Sequence, residues 1–158
     1  MYGRIAGNFG RLLPMFDQVR AADWVAKGAP ETYVEQVASA RTQAAAVQKD
    51  MELLSKTAPG LDVSIRALFR AQGFHRALDS LMGGLRRYQN PALADLIQAV
   101  AAEDQDELAR LQQYILELAA QKEQEYQVVE KEAQRCRGVL TKEPPAPKAA
   151  PKTVRRVP

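Results

Sequence analysis

The sequence predicts an all-α fold, on three observations. Strong helix breakers fall at Gly28-Ala29-Pro30, Pro59-Gly60, Gly83-Gly84 and Asn90-Pro91. The segments between them are rich in Ala, Leu, Gln, Glu, Lys and Arg, which lose little side-chain freedom in a helix. Nowhere does the period-two alternation of β-branched residues that marks a strand persist. The expected architecture is an antiparallel helical bundle over residues 1–137, closed by a long C-terminal helix with a coiled-coil-like overhang. A disordered basic tail rich in Pro, Ala and Lys is expected over 138–158.

The first segment places Tyr2, Ile5, Phe9, Leu12, Leu13 and Phe16 on one side of a helix and Arg4, Gly7, Asn8 and Arg11 on the other. Pro14 lacks the N–H that a helix interior needs. Beyond it Met15, Val19, Ala22 and Ala26 form a rotated stripe, so a kinked pair of helices is expected. Gly3, Gly7 and Gly10 share one flank, where they fit close packing better than ligand binding. They follow no strand, and no phosphate-loop sequence occurs.

In the second segment Pro30 suits a first helical turn and Pro59-Gly60 ends the helix. Tyr33, Val37, Ala40, Ala44, Val47, Met51, Leu54 and Ala58 recur at alternating spacings of four and three, the seam of a helix crossed at a shallow angle. The seam is small at its centre, where Ala40, Ala44, Ala45 and Ala46 admit a close neighbour. The third segment starts at Asp62 as N-cap, with Arg66 four residues on as an ion-pair partner. It offers Ile65, Leu68, Phe69, Phe74, Leu78, Leu81 and Met82 to the core, and Gly83-Gly84 is expected to stop it.

Asn90 as N-cap and Pro91 in the first turn open the fourth segment. Its apolar positions are Leu93, Ile97, Val100, Leu108, Leu111, Ile115, Ala119, Tyr126, Val129, Ala133 and Cys136, with no proline until Pro144. A continuous helix of this length would reach about 70 Å, against about 40 Å for the second, hence the overhang. Asp104 falls on the seam, inside Glu103-Asp104-Gln105-Asp106-Glu107. A capping box between Asp104 and Glu107 would split the segment, but a continuous or merely kinked helix is favoured.

The net charge of +3 is unevenly placed. Residues 138–158 carry Lys142, Lys148, Lys152, Arg155 and Arg156 against Glu143, a net of +4, which leaves −1 on residues 1–137. Within the body, residues 61–90 carry +3 and residues 91–137 carry −5, so the third and fourth segments can neutralise each other. An anion-binding reading collects Arg66, Arg70, Arg86 and Arg87 with Lys148, Lys152, Arg155 and Arg156, and makes nucleic acid a possible partner. Phe69 and Phe74, which could stack on bases, are better explained as core.

The inventory for catalysis is thin. His75 is the single histidine and Cys136 the single cysteine. A multi-histidine metal centre is therefore excluded, and His75 is expected as a structural imidazole beside Phe74. The run from Asn90 into Glu103-Asp104-Gln105-Asp106-Glu107 resembles a metal-bearing helix of ferritin-like bundles. Those sites need Glu-x-x-His, however, and this chain offers Glu103-x-x-Asp106. No metal, cofactor or enzymatic activity is expected.

No stretch reaches the roughly 18 apolar residues of a membrane span. Arg4 and Arg11 interrupt what would be a secretory signal, although the amphipathic segment 1–16 is a candidate for peripheral membrane contact. The lone cysteine makes a reducing cytoplasm the default compartment. The functional expectation is a helical interaction protein that binds a protein partner or a second copy through Tyr126, Val129, Ala133 and Cys136 on the long helix. Binding to nucleic acid or an anionic surface is the alternative.

Overall fold

The computed structural model describes residues 1–57 and 60–140. Among these the chain forms six helices and no strand: α1 (Tyr2–Phe16), α2 (Ala21–Val25), α3 (Thr32–Lys56), α4 (Leu61–Tyr88), α5 (Pro91–Ala102) and α6 (Gln105–Leu140). It divides into two compact units, Met1–Ala120 and the remainder from Gln121. No described helix is long and apolar enough to cross a membrane.

The first unit is an up-and-down bundle. Arg41 on α3 pairs with Asp17, and the Gln48 side chain crosses Gly10, so α1 and α3 run antiparallel. Asp50 near the end of α3 pairs with Arg70 near the start of α4, while Tyr33 at the start of α3 meets Gly84 near the end of α4. Arg86 reaches Asp95, and His75 reaches Asp104, which reverses the direction again from α4 to α5. α1 packs on α3 and α5, and α4 on the same two helices, so α1 and α4 are diagonal. Across that diagonal Phe9 and Phe74 meet edge to face, 5.0 Å between centroids, and Phe16 meets Phe74 edge to face at 6.0 Å.

The α3 seam holds as predicted. Val37, Ala40, Ala44, Val47, Met51 and Leu54 are buried and Tyr33 is half-buried; Ala58 lies outside the described residues. The predicted start of the fourth segment also holds. Asn90 has extended backbone, and its Oδ1 accepts from the N–H groups of Ala92 at 2.9 Å and Leu93 at 3.4 Å, with Pro91 opening α5. Asn90→Ala is expected to lower stability by about 1 kcal/mol, read as a shift in urea midpoint with unchanged slope. An unchanged midpoint would show that water replaces the cap without loss.

Several expectations are corrected. Pro14 does not break α1, because it sits in the last turn and the helix ends two residues later at Phe16. The bend instead falls over Asp17–Arg20, and the rotated stripe is replaced by Ala21 and Trp24, both buried, with Ala22 and Ala26 exposed. Gly28, with φ of +90°, turns the chain out of this region, a conformation that favours glycine. Asp62 is not the N-cap of α4. Gly60 holds that place, and Asp62 lies in the first turn, where it pairs with Arg66 at 3.0 Å as expected.

Gly83-Gly84 does not stop the third segment either; α4 runs through both glycines to Tyr88. Gly84 is buried under the rings of Tyr33 and Trp24, where a β-carbon would stand 2.8 Å from Tyr33 Cε1. Trp24, Tyr33 and Tyr88 form one aromatic cluster around it. The Gln89 side chain ties the cluster to the α1–α2 connection: Trp24 Nε1 and Arg20 N both donate to its Oε1, and its Nε2 donates to Gln18 O. Phe69, expected in the core, is exposed on the outer face of α4.

From Pro91 to residue 139 the fourth segment is one long bent helix, in line with the kinked alternative. The bend is a two-residue turn at Glu103 and Asp104, through which Glu103 keeps right-handed helical geometry. Leu108 N donates to Asp104 O at 2.8 Å, but no backbone N–H reaches the Asp104 carboxylate, so no capping box forms. α6 passes Arg137 and ends at Leu140, and the remainder of the expected tail lies outside the described residues.

Candidate functional site

The four residues predicted to meet a partner lie on the second unit. From Gln121 onward every described side chain is exposed except Ala133, which is half-buried. Tyr126 and Val129 each keep 66% of their surface. Spacings of three, four and three put Tyr126, Val129, Ala133 and Cys136 on one face of α6. The earlier members of the same stripe, Leu108, Leu111 and Ile115, are buried within the first unit, so the pattern continues past the point where the bundle covers it. Lys122 interrupts the stripe and pairs with Glu125 at 2.7 Å. Cys136 is an exposed free thiol.

Of the predicted anion-binding residues, the four on α4 each meet a neighbouring side chain. Arg66 pairs with Asp62, Arg70 with Asp50, and Arg86 with both Asp95 and Gln98. Arg87 lies over the Tyr88 ring at 5.3 Å from its centroid. Lys148, Lys152, Arg155 and Arg156 lie outside the described residues. On the outer face of α4, Arg66, Phe69, Gly73, Arg76, Ser80, Gly83 and Arg87 follow one another at alternating spacings of three and four. Phe69 is exposed within that row.

A third feature was only partly legible in the sequence: a polar crossing where α1 and α4 meet the α5–α6 turn. Asp104 is 2% exposed, and its Oδ1 lies 3.1 Å from His75 Nε2. The contact is at ion-pair distance but is not aligned as a hydrogen bond, and neither carboxylate oxygen has a hydrogen-bond donor. His75 also packs edge-on against Phe74 and Phe9, so the expected structural imidazole beside Phe74 is present.

On the α1 side, Glu103, Asp104 and Glu107 with Arg4, Gly7, Asn8 and Arg11 line a cleft of about 380 Å³. Arg11 donates to Asn8 Oδ1 at 2.7 Å and pairs with Glu103; Glu107 pairs with Arg4 at 2.8 Å. Asn8, placed by the sequence on the polar side of α1, is buried here. Glu103 is thus committed to an arginine, while Asp106 is exposed. Among the described residues no three His, Cys, Asp or Glu side chains converge as metal ligands.

One turn of α1 earlier, burial raises the Tyr2 hydroxyl above the usual phenol range, Ser64 opposes the rise and Tyr114 adds to it. Tyr2 and Ser64 interact without the alignment of a hydrogen bond. Glu103 and Glu107 of the cleft are answered by Arg11 and Arg4, Asp104 is not, and the lining offers no hydroxyl, thiol or amine nucleophile. Such an arrangement pins α1 to the bend of the long helix. Gly7 opens on the cleft and Gly10 alone of the three α1 glycines faces another helix, through Gln48, so the predicted packing flank is confined to that one residue.

No protein family, no curated protein and no solved structure matches the chain.

Proposed function

We propose that the protein is a non-enzymatic helical interaction protein that docks a partner helix, or a second copy, on the C-terminal part of α6. The observation that carries this reading is the exposure of Tyr126 and Val129 on a helical stripe whose earlier members are buried. Exposed apolar residues repeating at helical spacing on a long helix are a knobs-into-holes surface, and water is a poor cover for it. The lone thiol of Cys136 fits a reducing cytoplasm.

Cys136 provides the handle for the test. A photo-crosslinker attached to it in the full chain is expected to give defined adducts, or a mass in solution above that of the monomer. Tyr126→Glu with Val129→Glu is expected to abolish both while circular dichroism stays helical. Unchanged adducts and unchanged mass in the double variant would show that the stripe is inert.

A second reading, binding to nucleic acid, is favoured by one observation: Phe69 is exposed beside Arg66 and Arg76 on α4 rather than buried. Aromatic and arginine side chains in one row suit stacking and phosphate contact. Retention on single-stranded RNA that falls steeply with salt, and is lost in Phe69→Ala, is the expected result. Retention that is absent at low salt removes the reading. Peripheral membrane contact through residues 1–16 has less support, because Ile5, Phe9, Leu12 and Phe16 are buried inside the bundle.

A further inference from the structure

The borders of the α6 stripe say which kind of helix fits it. Helical spacing places Glu123 and Glu130, seven residues apart, along one border of the Tyr126–Val129–Ala133–Cys136 face, followed by Arg137. Glu125 and Glu132, also seven apart, line the other border. The second pair is answered within the helix, Glu125 by Lys122 and Glu132 by Arg135 at 3.9 Å. Among the described residues Glu123 and Glu130 form no ion pair. The stripe is thus an apolar face bordered by four glutamates.

Border charges of this kind select partner and orientation in helix pairs. A second copy is poorly matched. Parallel pairing in register sets Glu125 against Glu130 of the second copy, with Glu132 against Arg137. Antiparallel pairing matches Glu123 with Arg137 but sets Glu130 on Glu130 and Glu125 on Glu132. Each arrangement places carboxylates directly opposite carboxylates, which is destabilising. The centre of the face is narrow at Ala133, which favours a partner carrying a bulky apolar residue there.

Resting on the reading of α6 as a docking helix, we infer that its partner is an amphipathic helix of another protein, apolar on its seam and bordered on both sides by lysine or arginine. That helix lies along residues 121–140. The glutamates select it over a second copy.

Synthetic helices of about four heptads with one leucine seam test this, bordered either by lysine or by glutamate. Binding to the full chain is measured by fluorescence anisotropy. The lysine-bordered helix is expected to bind at least ~10-fold tighter than the glutamate-bordered one at low salt, with the difference shrinking as salt is raised. Glu123→Lys with Glu130→Lys is expected to reduce or reverse the preference, and Tyr126→Glu with Val129→Glu to remove binding of either helix. Equal binding of the two helices overturns the inference while leaving the docking reading intact. So does concentration-dependent self-association of the full chain that survives the lysine substitutions. Binding of neither helix, with no self-association, overturns both.

Discussion

His75→Leu is expected to lower the stability of the bundle by about 3 kcal/mol, whereas Asp104→Leu leaves it unchanged or raises it, and the two together return it to near the starting value. Asp104 has a side chain only 1% exposed, neither of its oxygens receives a hydrogen bond, and His75 Nε2 lies 3.1 Å from its Oδ1. Removing the imidazole leaves a carboxylate in a low-dielectric setting with nothing to answer it, the costliest way to break a buried pair. Leucine keeps the volume of the ring against Phe9 and Phe74, so a cavity contributes little.

At position 104 a leucine continues the stripe of Ile97, Val100, Leu108 and Leu111. Gly7 leaves open space on the adjoining cleft, where the longer side chain can settle. The desolvation of the carboxylate then disappears together with its contact to His75. Urea midpoints of the four proteins at neutral pH form a double-mutant cycle. A coupling of ~2 kcal/mol or more is expected; single effects that simply add would show that the two side chains are neighbours without being partners.

What the sequence disclosed here followed from periodicity. The α3 seam was legible because its 3-4 spacing is local, and Asn90-Pro91 because a cap and its helix are adjacent in the chain. The same holds for the exposed half of α6, whose stripe is the continuation of a buried one. What was not legible depended on contacts between distant segments. Arg70 finds Asp50 and Arg11 finds Glu103, and no spacing rule links residues 20 and 92 positions apart. Arg86, an anion contact by its charge alone, meets Asp95 and Gln98 from the next helix.

Asp104 is the intermediate case. Its place on an apolar stripe was visible, and so was the solitary His75, but not that α4 carries one to the other. Phe69 was assigned to the core on residue type, although its position on α4 lies on the far side of the helix from Ala71 and Phe74, which are buried. Angle around the helix outweighs hydrophobicity there, and an exposed aromatic results.

Gly84→Ala and Gly83→Ala, adjacent substitutions of the same chemistry in the same helix, are expected to change stability in opposite directions. Alanine is better than glycine in a helix interior by up to about 1 kcal/mol, and at Gly83 a β-carbon meets nothing within 4 Å, so that gain stands alone. At Gly84 the new carbon would stand 2.8 Å from Tyr33 Cε1, 3.0 Å from its Cζ and 3.1 Å from Trp24 Cζ3. Tyr33 is half-buried and could swing away only by leaving its edge contacts with Trp24 and Tyr88, and Trp24 is fully buried and held by Gln89. Overpacking of this kind costs roughly 1–3 kcal/mol, which exceeds the propensity gain and leaves a net loss. Adding Tyr33→Ala to Gly84→Ala removes the obstructing ring, so the alanine at position 84 should cost less in that background than in the native one. Thermal or urea unfolding of the five proteins measures all of these differences. Two alanines that stabilise equally would mean that the glycine pair is tolerated by the helix rather than required by the rings packed against it.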